Sequence, residues 1–384
     1  MIYFDNSATT RPLPEVLDTF NKVATDIWGN PSSLHNLGEP AWNLLEQARA
    51  QVAKLCGVKP GEIIFNSGGS EGDNAVIKGT AFAKRQYGKH IITSSVEHAA
   101  VRNAMAELKD LGFDITVLPV DSEGRVNPQD VADAIRPDTI LVSIMAVNNE
   151  VGAIEPINEI GEILKKYPKI HFHVDAVQAV GKGLDPMVFG PRVDFATFSA
   201  HKFHGLRGTG FVFHRAGRKI MPLVAGGGQE HNHRSGTENL AGDVALARAL
   251  RLVKEHEDEN VKWELAVKHR IYQHLVGKPH VKIFSGDSDN PHFAPHVLTF
   301  AIVGVRGETI VHAFEEHGIY ISTTSACSSK KTDEAGTLVA MKVPDNEATS
   351  AVRVSLGDQN TLAEADKFNQ VFDELYAGFQ KIIN

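Results

Sequence analysis

The sequence predicts an α/β fold built on a mostly parallel sheet, with a smaller α+β unit after it. Three observations carry that prediction. From about residue 60 to 215, short apolar runs alternate with amphipathic stretches. The chain has 384 residues, 42% of them hydrophobic, which is more than one core usually organises. Past residue 295, two strand-like runs and two helical patterns make a second, compact series.

The apolar runs are Ile63-Ile64-Phe65, His90-Ile91-Ile92-Thr93, Ile115-Thr116-Val117-Leu118, Ile140 to Ile144, His171-Phe172-His173-Val174 and Phe195-Ala196-Thr197-Phe198, and they read as buried strands. Between them Asn74 to Gln86, Ala99 to Leu111 and Ile157 to Tyr167 carry helical periodicity, the βαβ pattern of a sheet covered on both faces. Ligands on such sheets sit at the carboxyl ends of the strands. A long helical stretch from Leu240 to Val276 is expected to contain the domain boundary, and a polar segment from Gly286 to Pro295 follows it. The second unit is expected to hold strand-like Val297 to Ile302, a helix from Glu308 to His317, strand-like Ala351 to Ser355 and a terminal helix from Ala363 to Ile382. Ser322 to Asn346 is small, polar and turn-rich, and reads as a long mobile loop.

Composition narrows the function. The net charge is −8 and no stretch concentrates Lys and Arg, so the footprint for direct binding of nucleic acid or anionic membrane is missing. No apolar run approaches the length that crosses a bilayer, and Met1-Ile2-Tyr3-Phe4-Asp5 lacks the features of a signal peptide, so a cytoplasmic location is expected. A small substrate or a protein partner fits better. Cys56 and Cys327 are too few for a disulfide framework. His171, His173, His231 and His233 come without the carboxylate or cysteine pattern of a metal site, so no metal is expected.

Three elements at strand ends carry chemistry. Ser199-Ala200-His201-Lys202 puts a lysine where a desolvated amine can form a Schiff base, although most lysines are simply surface residues. Asp175 and Gln178 follow the strand at His171, where a carboxylate can pair with a pyridinium nitrogen; a helix N-cap is the plainer explanation. Ser67-Gly68-Gly69-Ser70-Glu71 opens a helix, so its backbone N–H groups and the Ser70 hydroxyl can cradle a phosphate, though Gly-rich turns are common. Together they supply an aldehyde-trapping lysine, a proton-holding acid and a phosphate cup.

With those elements in place the chain resembles the NifS/IscS-type cysteine desulfurases of the fold-type I, class V aminotransferase group. The shared motifs run over essentially the whole length: Asp5-Asn6-Ser7-Ala8-Thr9-Thr10, Gly29-Asn30-Pro31-Ser32-Ser33, Glu97-His98, Asn148-Asn149-Glu150-Val151-Gly152, His173-Val174-Asp175-Ala176-Val177-Gln178, Ser199-Ala200-His201-Lys202, Arg234-Ser235-Gly236-Thr237 and Ser325-Ala326-Cys327-Ser328-Ser329. The chain departs from many relatives in carrying Gly-Gly-Ser-Glu-Gly at residues 68–72 where they have Gly-Ala-Thr-Glu; Ser70 keeps the hydroxyl.

The resemblance implies a pyridoxal-phosphate-dependent transferase of fold type I. Its large domain, residues 15–255, would hold a mostly parallel seven-stranded sheet, and residues 1–14 with 256–384 would form the small α+β domain. It implies pyridoxal 5'-phosphate on Lys202, with His98 stacked on the ring, Asp175 at the ring nitrogen, and Gln178 and Asn149 near the phenolic oxygen. Gly69, Ser70, Ser199 and His201 would bind the phosphate, with Thr237 reaching it from a second subunit, which makes the protein a homodimer. Arg353 matches the arginine that takes the substrate carboxylate, where a planar fork gives a bidentate geometry lysine lacks.

Cys327 lies in Thr323-Thr324-Ser325-Ala326-Cys327-Ser328-Ser329-Lys330-Lys331, a polar stretch whose lysines favour a thiolate. Cys56 ends the amphipathic segment Glu46 to Leu55 before Gly57 and reads as a packing residue. The implied reaction converts L-cysteine to L-alanine and leaves a persulfide on Cys327 for a sulfur-acceptor protein serving iron–sulfur cluster assembly or thiolation. Selenocysteine lyase, cysteine sulfinate desulfinase and a thiol-independent class V aminotransferase keep the fold and change the chemistry, and a non-catalytic sulfur-transfer scaffold keeps the fold alone. A Rossmann dehydrogenase is set aside, since no Gly-x-Gly-x-x-Gly with a following acid is present.

Overall fold

Six of the seven strands in the larger sheet are buried along their whole length, as strands inside a doubly covered sheet must be. The structure is a computed structural model that describes residues 1–324 and 336–383. The first strand, β1, is Ile2–Tyr3, and the large sheet comprises β2 Ile63–Asn66, β3 His90–Ser94, β4 Asp114–Leu118, β5 Thr139–Ser143, β6 His171–Asp175, β7 Phe195–Ser199 and β8 Gly210–His214. Their spatial order is β2-β8-β7-β6-β5-β3-β4. Only β8 runs against the rest, pairing antiparallel with both β2 and β7. The seven-stranded, mostly parallel sheet is therefore the one the sequence led us to expect, and β8 is the strand whose apolar run was not read individually.

Helices α1 Pro14–Asp26, α2 Gly38–Cys56, α3 Gly69–Lys84, α4 Ala99–Asp110, α5 Pro128–Ala134, α6 Ile157–Leu164, the short α7 Asp185–Val188 and α8 Leu240–Glu255 surround the sheet. Residues of α1, α2 and α8 join β2, β5, β6, β7 and β8 in the largest apolar core. Cys56 is in that core, at the C-terminus of α2 just before Gly57 in the left-handed region, and burial pushes its thiol upward.

The single helical stretch expected from Leu240 to Val276 is two helices. His256, at φ −124° and ψ 15°, separates α8 from α9 Glu257–Leu275. Val267, Ile271 and Leu275 of α9 pack in a second core with Phe4, Phe300, Phe314, Val352, Phe368 and Phe372. Its sheet has the order β12-β13-β10-β9, all antiparallel, where β9 is Val281–Ile283, β10 Val297–Ile302, β12 Ser322–Thr323 and β13 Ala351–Ser355. Helix α10 Gly307–Glu316 and the terminal helix Leu362–Ile383 cover it, and β1 pairs in parallel with β11, Ile319–Tyr320. The segment expected to be one long loop from Ser322 to Asn346 instead starts with β12 and carries short helices at Thr337–Ala340 and Asp345–Ala348, while Cys327 lies outside the described residues. Among the described residues no helix is long and apolar enough to cross a membrane.

One ion pair fixes the edge of the large sheet nearest the Gly-rich turn. β2 is an edge strand, so Ile63 and Phe65 turn backbone groups away from the ladder. Arg49 on α2 donates to the Ile63 carbonyl at 2.8 Å, and Glu230 accepts from the Phe65 N–H at 2.8 Å. The two side chains bind each other through a double contact, Nη1–Oε2 at 2.7 Å and Nη2–Oε1 at 2.8 Å, and both are almost wholly buried. Replacing Arg49 with Met would leave the Glu230 carboxylate buried without its counter-charge. We expect a loss of about 3 kcal/mol in chemical denaturation, the scale for breaking a buried pair from one side.

Candidate active site

Five strands of the large sheet deliver residues to one cavity of about 630 Å³ at their carboxyl ends. The turn after β2 brings Ser67, Gly68, Gly69 and Ser70, the end of β3 brings His98, and the end of β5 brings Asn149. β6 supplies Asp175 and Gln178, and β7 supplies Ser199, His201 and Lys202. Arg353 enters from β13 of the smaller sheet.

At the Gly-rich turn the chain reverses tightly into a helix. Gly68 has φ 135°, open to glycine alone, and a Cβ there would stand 3.1 Å from Ser199 Oγ. A Cβ on Gly72, one turn into α3, would lie 2.5 Å from Thr197 Cγ2, so a glycine lets α3 sit down on β7. The N–H groups of the first turn of α3 have no acceptors within the helix, and they face the cavity with the positive end of its dipole. Glu71 accepts from the Ser67 N–H at 3.0 Å and from Arg234 Nε at 2.9 Å, which ties the rim of the turn to the loop after β8.

Lys202 sits on the turn after β7, with Nζ donating to the carbonyls of Ser7 at 2.6 Å and Ala8 at 2.9 Å. Burial, with the charge of Arg353, lowers its pKa to about 8 against the pull of Asp175 and Asp5. The amine is thus half neutral near pH 8. His201 is held down to about 4 by burial and by Lys202, and its Nδ1 lies 3.2 Å from Thr9 Oγ1.

Asp175 accepts the Val177 N–H at 3.0 Å and is raised by burial, while His98 and Lys202 oppose the shift. Asp73 lies behind it, fully buried, pushed well up by burial and then by the charge of Asp175. Both acids are thus raised by burial, and the charge of Asp175 pushes Asp73 up further. His173, held to about 3 by burial, fills the remaining polar space with Nδ1 2.9 Å from Ser143 Oγ and Nε2 2.9 Å from Thr197 Oγ1. It is a strand-packing histidine, as is His171 against Phe195.

His98 caps α4, its Nδ1 accepting the Ala100 N–H at 3.1 Å, which leaves Nε2 to carry the ring proton. Glu97, fully buried and raised by burial, accepts from Ser94 Oγ at 2.6 Å and from the Met145 N–H at 3.0 Å, joining the ends of β3 and β5 beneath His98. Gln178 donates to the Ser7 carbonyl at 3.0 Å, and its Oε1 lies 3.2 Å from His296 Nε2. The Arg353 Nη1 donates to the Asn149 carbonyl at 2.8 Å.

Of the residues singled out in the sequence, Gly69, Ser70, His98, Asn149, Asp175, Gln178, Ser199, His201, Lys202 and Arg353 line this cavity. Thr237 does not; it is exposed on the loop before α8. Cys327 lies outside the described residues. Sequence reasoning missed the Ser7 and Ala8 carbonyls, Asp73, Arg207 and Gly208. The motif Asp5 to Thr10 was the available signal for the first pair.

The fold and the cavity define a sheet enzyme that brings together a buried lysine of lowered pKa, a buried acid and the open start of a helix. Residues 2–368 match the family model described as Aminotransferase class-V, and the chain belongs to that family. It is 60% identical to the "NifS/IcsS protein homolog" of Lactobacillus delbrueckii subsp. bulgaricus, an alignment covering 100% of this chain and 99% of that one. It is 40% identical to the cysteine desulfurase IscS of Clostridium botulinum, covering 97% and 94%. A solved structure titled "NIFS-LIKE PROTEIN" superimposes with a TM-score of 0.90 at 37% identity, covering 98% and 99%.

The lowered lysine is directly testable in the cofactor-free protein. Capture of a small aldehyde by Lys202, trapped with borohydride and located by peptide mass, should rise with pH through a midpoint near 8. Because the Arg353 charge is among the causes, Arg353→Gln should move that midpoint upward.

Proposed function

We infer that the protein is a cysteine desulfurase that binds pyridoxal 5'-phosphate on Lys202, converts L-cysteine to L-alanine and passes the sulfur to Cys327. The observation that carries this reading is the convergence in one cavity of an amine lowered to about 8, a carboxylate-bearing strand end, an open helix N-terminus and an arginine fork. The fit to the cofactor rests on donors of this chain. The first-turn N–H groups of α3 with Ser70, Ser199 and His201 match a phosphate, and Asp175, whose charge is favoured by His98, the Val177 N–H and Lys202, matches a pyridinium nitrogen. When bound, the cofactor supplies a carbonyl carbon that takes amines and a ring that accepts the electrons left when the Cα proton departs.

The chain's own groups then divide the work. Arg353 takes the substrate carboxylate and turns the amino acid so that its Cα hydrogen faces Lys202. Lys202 Nζ, neutral over half its population near pH 8, removes that proton; the Ser7 and Ala8 carbonyls receive the resulting ammonium. His98, protonated on Nε2, faces the same space and donates as charge develops. The Cys327 thiolate attacks the substrate sulfur. A sulfur–sulfur bond forms, the Cβ–sulfur bond breaks, and its electron pair stays on the three-carbon skeleton, which takes up protons and leaves as alanine. The persulfide waits for an acceptor protein of iron–sulfur assembly or of thiolation chemistry. Thr237, exposed and outside its own cavity, fits the reading in which a second copy completes the phosphate site of a homodimer.

The native protein should show a visible cofactor band and release sulfide and alanine from L-cysteine with a reductant. Lys202→Ala should lose the covalently bound band. Cys327→Ala should keep the band and lose sulfide release by more than about a hundredfold. A thiol-independent lyase would release sulfide equally well in Cys327→Ala, and that result would exclude the desulfurase reading.

A further inference from the structure

Arg353 is not a free fork. Nη1 donates to the Asn149 carbonyl at 2.8 Å, and Nη2 donates both to Asp5 Oδ1 at 2.8 Å and to Ser322 Oγ at 2.8 Å. Among the described residues, Nε is buried without an acceptor. A guanidinium can grip a carboxylate with two bonds on only two of its edges, Nε with Nη2 or Nη1 with Nη2, and both edges use Nη2. Since both Nη2 protons are taken, a substrate carboxylate reaches the bidentate geometry only by displacing Asp5 or Ser322. Of these, the charged one faces direct competition from an incoming anion.

We propose that Asp5 is an internal stand-in for the substrate carboxylate, a specificity-determining residue that occupies Arg353 between turnovers and is exchanged for the amino acid on binding. This rests on the reading of Arg353 as the carboxylate ligand. Asp5 does not need its side chain to hold the N-terminal segment in place. The backbone does that through Ser355 N–H to the Phe4 carbonyl at 2.7 Å and Asn6 N–H to the Ser355 carbonyl at 3.1 Å, with the Ser7 N–H on Ser355 Oγ at 2.9 Å. The Asp5 side chain is about one-fifth exposed, against 9% for that of Arg353, so it has water to turn toward when displaced.

The exchange also keeps charge balanced. Lys202 and Arg353 line the same cavity, and without substrate the Asp5 carboxylate is the countercharge that touches the guanidinium. The arriving amino acid brings its own carboxylate, so the site passes from one paired state to another and never exposes an unpaired arginine beside the lysine.

The test uses the holoenzyme and 3-mercaptopropionate, which has the carboxylate and thiol of cysteine without the amine and so reads carboxylate recognition apart from turnover. By calorimetry, Asp5→Asn, which keeps the shape and loses the charge, should bind this probe about fivefold more tightly than the native protein. Asp5→Ser should tighten it in the same direction, which guards against a peculiarity of the asparagine. A purely structural role for Asp5 predicts the opposite sign, so unchanged or weaker binding in both variants overturns the proposal. Arg353→Lys separates the underlying reading. A loss of about tenfold supports Arg353 as the ligand whatever Asp5 does, while no loss removes that reading and the exchange with it.

Discussion

The constraint on which the site depends is that Lys202 and Arg353 share one cavity, which makes the lysine easier to deprotonate than a free one. Lys202 and Arg353 approach from different sheets, and their mutual repulsion adds to burial in lowering the lysine. Oxygen atoms of a single short segment keep this arrangement stable, with Ser7 and Ala8 presenting carbonyls to Lys202. Ser7 also takes the amide of Gln178, so one peptide oxygen aligns both the amine and a neighbouring polar side chain. The N-terminal segment is thereby part of the active site, although it begins in β1, on the edge of the smaller unit.

The large sheet supplies the rest by geometry. Parallel strands end on the same side, and the cavity-lining residues follow strands β2, β3, β5, β6 and β7 within a few residues. Buried groups around these residues shape the electrostatics of the cavity. Asp73 is pushed up by burial and by the charge of Asp175, His173 is kept neutral by burial, and Glu97 ties two strand ends together under His98. The edge nearest the Gly-rich turn is held by Arg49 and Glu230, a pair that replaces the missing neighbouring strand.

Much of this was legible in the chain itself. Val297 to Ile302 and Ala351 to Ser355 have the strand limits that their apolar runs indicate, and the fully buried runs of β5 to β7 announced a sheet covered on both sides. Lys202, Asp175 and the Gly68-Gly69 turn were visible because strand ends and glycines leave a local signature. What remained hidden depends on contacts far apart in sequence. The Ser7 carbonyl meets Lys202 across 195 positions and Asp5 meets Arg353 across 348, and a backbone oxygen has no residue type to betray it. His256 divides two helices whose composition is continuous, so periodicity alone ran them together. Likewise the loop from Ser322 has a turn-rich composition that concealed the short helices at 337–340 and 345–348.

The central claim is that sulfur leaves cysteine by way of Cys327, and the most direct test is to look for it there. The holoenzyme would be treated with L-cysteine without reductant, the thiols capped, and the proteolytic peptides carrying Cys327 and Cys56 compared by mass. The account predicts one additional sulfur atom on the Cys327 peptide, absent from Lys202→Ala, and none on Cys56, whose thiol is buried in the core. Alanine formation with an unmodified Cys327 peptide, or the extra sulfur found on Cys56, would contradict it.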